Sequence, residues 1–436
     1  MAKVFGAEAL TLSSFKPESL RGRAGFFRAG QTVSGQWWLL TPHDRPFFAK
    51  AVAAVNRQGR AATPIQTSGA GNRGAYALAV ERAHGADDAA GFARAALQRL
   101  RNWQVNTLGP WAEPSLATSG VYTTALVDFR GSGVPVIHLQ GVHLPDVFDP
   151  GWLAACEAQA QAATAPWLGR TDLIGYYTDD APGWGEPRPD RPSLLQICLS
   201  LEPNFSAYHA AWEFVLAPHG GELSGLAREW SLDLPNKEVI RQRTLADRPL
   251  TTAGYLRDQA RFSREFAHRY FVETSAALRR HDPDHLVLGC RFAHPPGESV
   301  LVECVYPQVD VVSWHCHGPD FEAQAELYAG VAGMPLWLTA FGLSNERFRT
   351  ASFMPHSGPT RLERMLRDGR RALTAACAHP SMVGYEWARW ADESDELPPF
   401  GAGLVHIDDR EAVEHTELIA QINARAERVR VRAGGS

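Results

Sequence analysis

LIGYYTDD (173–180), followed by the turn APGWG (181–185), is the stretch whose reading decides the fold. It is apolar on both alternating faces and then ends abruptly in two acids. A strand written this way is covered on both sides and shows polar chemistry only at its tip. Seven further runs share the design. FFAKAVAAVN (47–56), VNTLGPW (105–111) and VPVIHLQGV (134–142) precede it. HLVLGCRF (285–292), VDVVSWHCH (309–317), PLWLTAF (335–341) and MVGYEWARW (382–390) follow.

Helical patterns stand between these runs. ADDAAGFARAALQRLRNW (86–103) opens on an aspartate suited to capping and closes on basic residues that suit the helix dipole. DPGWLAACEAQAQAATAPW (149–167), YLRDQARFSREFAHRYFVETSAALRRH (255–281) and RLERMLRDGRRALTAACAH (361–379) continue the series. In EAVEHTELIAQINARAERVR (411–430), Leu418, Ile419, Ile422, Ala426 and Val429 share one face. Eight strands alternating with helices predict an α/β protein, a single (β/α)₈ TIM barrel over residues 1–436. An open doubly wound sheet is disfavoured, because no glycine-rich phosphate loop follows any strand. Two segments stand outside the eightfold count. Residues 22–49, with GQWWLL and the turn TPHDRP, predict an N-terminal β-hairpin. Residues 185–250 form a long insertion after strand four, which a barrel would place at its C-terminal mouth.

Composition narrows the function. The 436 residues hold 43 Lys+Arg against 48 Asp+Glu, so no basic excess exists to neutralise phosphates and no nucleic-acid partner is expected. Hydrophobic residues at 45% exclude a disordered chain. The first residues contain no signal-like apolar run, and no later stretch is long and apolar enough to span a bilayer. The expectation is a soluble, cytoplasmic protein with no membrane partner; assembly into a homo-oligomer is left open. The six cysteines are scattered without CxxC spacing, which speaks against a disulfide scaffold or zinc ribbon. Tryptophan is abundant, with 13 residues, and suits a core, an interface or a wet cleft.

Strand ends collect the polar and aromatic residues: Trp111, His138, His143, Asp179, Asp180, Arg291, His294, His315, His317, Glu386, Trp387 and Asp392, with Ala340 among them. The motifs around them carry a resemblance. WWLLTPHDRPFFAKAV (37–52) resembles the start of β-agarase-type glycosidases, glycoside hydrolase family fifty, and of galactosidase-like relatives. VNTLGPWAEP resembles their second-strand motif and IGYYTDDAPGWG their fourth, where Asp-Asn-Glu ends with the acid/base glutamate. LVLGCRF and VVSWHCHG are similar to strands five and six, LTAFGL to the Thr-Glu-Phe-Gly around the nucleophile, and VGYEWARWAD to the last strand's tryptophan motif. The matches run in order from about residue 35 to 410. The resemblance implies a retaining glycosidase acting on a β-galactoside-like or related oligosaccharide, with no metal or organic cofactor.

It also exposes two departures. Position by position, the acid/base glutamate falls on Ala181 and the nucleophile on Ala340. Retaining hydrolysis needs one carboxyl to protonate the leaving oxygen and a second, about 5 Å away, to attack the anomeric carbon. A methyl group does neither, so the chain as written is expected to be inactive by that route. The favoured account is a glutamate-to-alanine pair in a parent enzyme, chosen to hold substrate intact. A natural glycan-binding pseudoenzyme is the second, and a mistaken resemblance with ordinary barrel alanines is the third.

The resemblance implies substrate-binding roles for Trp111, Asp179, Asp180, Trp184, Arg291, His315, Glu386 and Trp387. Each has a plainer reading. Asp180 could cap a helix, Arg291 and His315 could partner buried carboxylates, and Glu386 could pair with Arg389 or Arg291. Trp111, Trp184 and Trp387 could be packing at the barrel mouth. The HxH spacing of His315 and His317 raises a metal-dependent barrel hydrolase, although no lysine ends strand four.

Overall fold

The structure, a computed structural model, describes residues 10–59, 74–85, 88–116, 120–185, 190–316, 321–329, 333–342, 361–392 and 402–434. The chain begins with three antiparallel strands, β1 (Arg28–Gln31), β2 (Trp37–Leu40) and β3 (Pro46–Phe47). The predicted hairpin is the β2–β3 pair, with Leu39 opposite Phe47, and β1 extends it on the other side. Then come β4 (Ala49–Val52), β5 (Thr107–Leu108), β6 (Tyr122–Leu126), β7 (Val136–Leu139), β8 (Val142–Pro145), β9 (Leu173–Asp180) and β10 (Gly183–Trp184). The last four are β11 (Leu286–Phe292), β12 (Val312–His315), β13 (Leu336–Phe341) and β14 (Met382–Trp387). Strands β4, β5, β6, β9, β11, β12, β13 and β14 pair in parallel and close into a barrel in chain order. The (β/α)₈ expectation holds.

One predicted strand does not. VPVIHLQGV (134–142) is not the third barrel strand; it forms β7 and the start of β8, an antiparallel pair joined at Gln140 and Gly141. Both turn residues have positive φ, 45° and 87°, which is the twist a two-residue hairpin needs. The third barrel strand is YTTAL, whose two threonines disguise a run buried only in part. β10 joins β8, so a three-stranded sheet stands beside the tip of β9.

The sequence alternation in WWLL places the N-terminal sheet. Trp37 and Leu39 join Phe27 and Ala29 against the barrel interior, formed by Ala51, Ile174, Leu286, Leu288, Val311, Trp337 and Val383. Trp38 and Leu40 face the other way, into the layer between barrel and helices. The sheet therefore stoppers one end of the barrel and leaves function to the other. Each of these large side chains contributes roughly 1.5–3 kcal/mol by leaving water. Arg430 fastens the stopper: fully buried, it lies 4.8 Å from the Trp38 ring and donates to the carbonyls of Trp37, Cys377 and His379.

Helices Ala89–Asn102, Trp152–Thr164, Ala253–His281 and Arg361–Ala378 form where the periodicity places them. Asp88 caps the first, accepting from the Gly91 N–H at 2.7 Å. The last predicted helix divides into Val413–Asn423 and Ala426–Gly434. The insertion is helical, with Leu194–Cys198, Ser206–Leu216, Leu223–Glu229 and Glu238–Leu245. Gln196 knits it together, donating to Thr244 Oγ1 and the Arg248 carbonyl and accepting from the Leu250 N–H.

Candidate active site

The C-terminal ends of β9, β11 and β14 bring three charged groups together in the barrel mouth. Arg291, from β11, donates through Nη1 to Asp180 Oδ1 at 2.5 Å and through Nη2 to Glu386 Oε1. The guanidinium lies 5.1 Å from the Trp111 ring centroid and 5.5 Å from that of Tyr177. His315, at the tip of β12, reaches Asp180 Oδ1 through Nε2 at 3.3 Å. Of the predicted residues, Trp111, Asp180, Arg291, His315 and Glu386 therefore do meet. The plain reading that Glu386 pairs with Arg291 is also what the geometry shows.

The electrostatics follow from burial and this one cation. Burial works against charge on Asp180, but Arg291, His315 and Arg130 outweigh it and hold its carboxyl well below the usual range. Glu386 has no exposed surface; burial raises its pKa, opposed by Arg291 and helped upward by Asp180, while the Ala340 N–H pulls it down. Arg291 remains a firm cation between two carboxylates, despite its own burial. Burial depresses His315, although Asp180 favours its charged form. Gly109 makes room for this cluster. A Cβ there would stand 2.4 Å from Glu386 Oε2 and 3.0 Å from the Ala53 Cα.

Strand geometry sends other predicted residues elsewhere. Asp179 faces away from the barrel axis, where it accepts from the Arg130 N–H at 3.0 Å and from the Tyr270 hydroxyl on the helix Ala253–His281. Burial pushes it up to about 7, against the pull of Tyr270 and the Arg130 amide. Trp387 also turns outward, because Glu386 before it faces in. Its ring is fully buried beside Phe341 and His415, and its indole N–H donates to the Ala402 carbonyl at 2.8 Å. The expected sugar platform therefore offers no open face in this conformation. Trp184 is 5% exposed and stacks on Phe271 at 5.3 Å, edge-on to Tyr270. Trp111 alone of the three stands partly open in the mouth. Asp392 holds its own loop, bonded to the Gly403 N–H and His406. His138 and His143 lie on β7 and β8, 4.7 Å apart, and His294 is exposed near the cavity described below. His317 is outside the described residues. Among those described, no three His, Cys, Asp or Glu side chains converge as a metal ion would require.

The two alanines stand apart by their backbone. Ala181, just past β9, has φ +44°, and Ala340, within β13, has φ +49°. Both occur beside departures from regular register, between β9 and β11 and between β13 and β14. The Ala181 N–H donates to the Arg291 carbonyl at 3.0 Å. Left-handed φ costs an L-residue about 1–2 kcal/mol, and such strain gathers at functional sites. Bulges there re-aim a side chain. Ala181 lines a cavity of about 290 Å³ reaching from the barrel mouth to β8 and β10.

Sequence reasoning missed Tyr177, Gly109 and Arg130. Tyr177 and Gly109 read as ordinary strand residues until the fold sets them around Arg291 and Glu386. Arg130 follows the misassigned third strand; DFRG after YTTALV was its signal, visible once that strand is placed.

The chain is similar to known proteins. No protein-family model matches the chain. It is 23% identical to β-agarase A of Vibrio sp. (strain JT0107) over 321 residues, 68% of this chain and 31% of that protein. It is 22% identical to β-agarase B of the same strain over 250 residues, covering 53% of this chain and 25% of the relative. The chain thus spans about a third or less of the length of these curated relatives. The fold is similar to the crystal structure of an agarase, AgWH50C (TM-score 0.71, 18% identity, 94% of this chain and 66% of that one). It is similar also to an exo-β-agarase (TM-score 0.73, 17% identity, 94% and 67%). The chain is β-agarase-like. The roles of individual residues rest on the geometry above.

Proposed function

We propose that the chain is built on a retaining glycosidase barrel and, as written, binds a galactose-containing oligosaccharide in its mouth without cleaving it by that mechanism. The observation that carries the reading is the pair Ala181 and Ala340. Both are non-glycine residues at left-handed φ on the mouth side of strands β9 and β13. The resemblance puts the acid/base and the nucleophile at these two positions. A backbone strained to aim a side chain, with only a methyl group to aim, fits a site whose reactive groups have been replaced.

The neighbouring carboxylates are poor substitutes. Asp180 is held ionised by Arg291, so it has no proton to give. Glu386 is fully buried and bonded to the same guanidinium, so it cannot reach an anomeric carbon. Trp111 and Arg291 supply what binding needs, an apolar ring for sugar C–H faces and a fixed donor for hydroxyls. Asp179 and Trp387, expected as sugar contacts, lie buried behind the mouth, bonded to the Tyr270 hydroxyl and the Ala402 carbonyl.

The test is calorimetric titration of the chain with galactose-containing oligosaccharides, agarose fragments among them, alongside product analysis. Binding without products is expected. A181E/A340E should then release products with retained anomeric configuration. Turnover by the unaltered chain at the restored variant's rate would overturn the reading. So would absence of both binding and restored activity across the panel.

A further inference from the structure

The cavity beside Ala181 has a chemistry that neutral sugar recognition does not call for. Arg191 lines it, is exposed, and makes no ion pair among the described residues. His143 and His294 stand on the same lining, which contains no carboxylate among the described residues. Arg130 is close enough to His143 to depress it, after burial, to about 4; Asp128 is the acid that opposes this. Arg130, unlike Arg191, is engaged behind the lining: its Nη1 donates at 3.2 Å to the Asp180 main-chain oxygen, and its charge acts on the Asp179 and Asp180 carboxyls. Most arginines near the mouth would be expected to find an acid, as Arg291 does twice.

Two further features mark a prepared recess. The Trp184 ring lines the recess, and its buried indole N–H has no acceptor among the described residues. One wall is bare backbone. A Cβ on Gly183 would lie 2.0 Å from the Gly141 carbonyl oxygen, so the β8–β10 approach demands glycine.

We propose that this cavity recognises an anionic substituent, a sulfate ester or a uronate carboxylate, on the sugar held in the barrel mouth, with Arg191 as its principal partner. The guanidinium fork matches either oxyanion through two parallel N–H donors. The inference rests on the oligosaccharide-binding reading above and specifies its substrate class: a charged galactose-containing oligosaccharide.

The experiment titrates the full chain at low salt with four probes. They are a neutral galactose-containing oligosaccharide, its sulfated form, a form carrying a uronate, and inorganic sulfate. A charged form is expected to bind at least ten-fold more tightly than the neutral one, with the advantage shrinking as salt rises. R191Q should abolish the advantage and R191K should keep part of it, with thermal unfolding confirming that both variants fold. The sulfated and uronate forms, compared directly, identify the substituent. Equal affinity for neutral and charged forms overturns the anionic site and leaves the sugar-binding mouth standing. Binding of none of the oligosaccharides removes both. Inorganic sulfate binding as tightly as the sulfated sugar also overturns the proposal, since the sugar would then contribute nothing.

Discussion

Two neighbouring regions of the barrel mouth treat charge in opposite ways. In the floor, Asp180, Arg291 and Glu386 are matched, with one cation between two carboxylates and Trp111 and Tyr177 against its planar faces. In the cavity past Ala181, Arg191 has no carboxylate partner among the described residues. A matched buried network holds a shape, because removing any member leaves the others unsatisfied. An exposed cation in an open recess is free to meet a ligand. The contrast predicts that substitutions in the floor act on stability, whereas substitutions in the cavity act on binding.

The sharpest way to break this contrast is R291A. It leaves Asp180 and Glu386 facing each other in the barrel with no cation. Breaking a buried pair in this way costs about 3–5 kcal/mol. Denaturant unfolding reads the change directly, and a loss below about 1 kcal/mol would mean that the floor is not the structural element described here.

Behind the floor, Asp179 adds a pH signature. Its carboxyl is raised in the folded chain to about 7, so the neutral form is the one that folding favours. The stability this contributes is complete below the unfolded value near 4 and is lost as pH rises through about 7. A shift of about three units corresponds to up to about 4 kcal/mol across that window. D179N should flatten this slope while keeping one of the two hydrogen bonds, from Tyr270 or the Arg130 amide. Parallel stability curves for the two proteins between pH 4 and 7 would remove Asp179 from the account. G109A tests the same floor sterically, by pushing a Cβ into Glu386. Overpacking of this kind costs typically 1–3 kcal/mol, and an unchanged midpoint of unfolding would show that Glu386 has room to move.

How much of this was legible in the sequence depends on which physical rule each residue obeys. The barrel was, because seven of its eight strands are short apolar runs with no competing signal. The third strand was not. YTTAL carries its burial on threonines, while VIHL and VHLP nearby look more strand-like and are strands, only of a hairpin turned at Gln140–Gly141. The site was legible where strand tips point inward: Asp180, Arg291, His315 and Glu386. It was illegible where facing decides, since Asp179 and Trp387 are each one residue from an inward-facing neighbour and turn to the helix layer. Partners that matter only once the barrel closes, such as Gly109 and Tyr177, carry no local mark at all.

The smallest expected effect probes the alanines themselves. At φ +44° and +49° each pays about 1–2 kcal/mol of left-handed strain that glycine would not. Glycine returns about 0.4–1 kcal/mol of that by loosening the unfolded chain. A181G and A340G should therefore each raise stability by up to about 1 kcal/mol, measured by unfolding midpoint at unchanged slope. The two differ in what else they touch. Ala181 lines the open cavity, so its methyl has little packing to lose, whereas Ala340 is 8% exposed within β13 and its amide faces Glu386. The gain should thus be larger at 181 than at 340. A loss at both positions would mean that the methyl groups are packed residues of an ordinary barrel, and the strained backbone would no longer argue for a pair of vanished carboxyls.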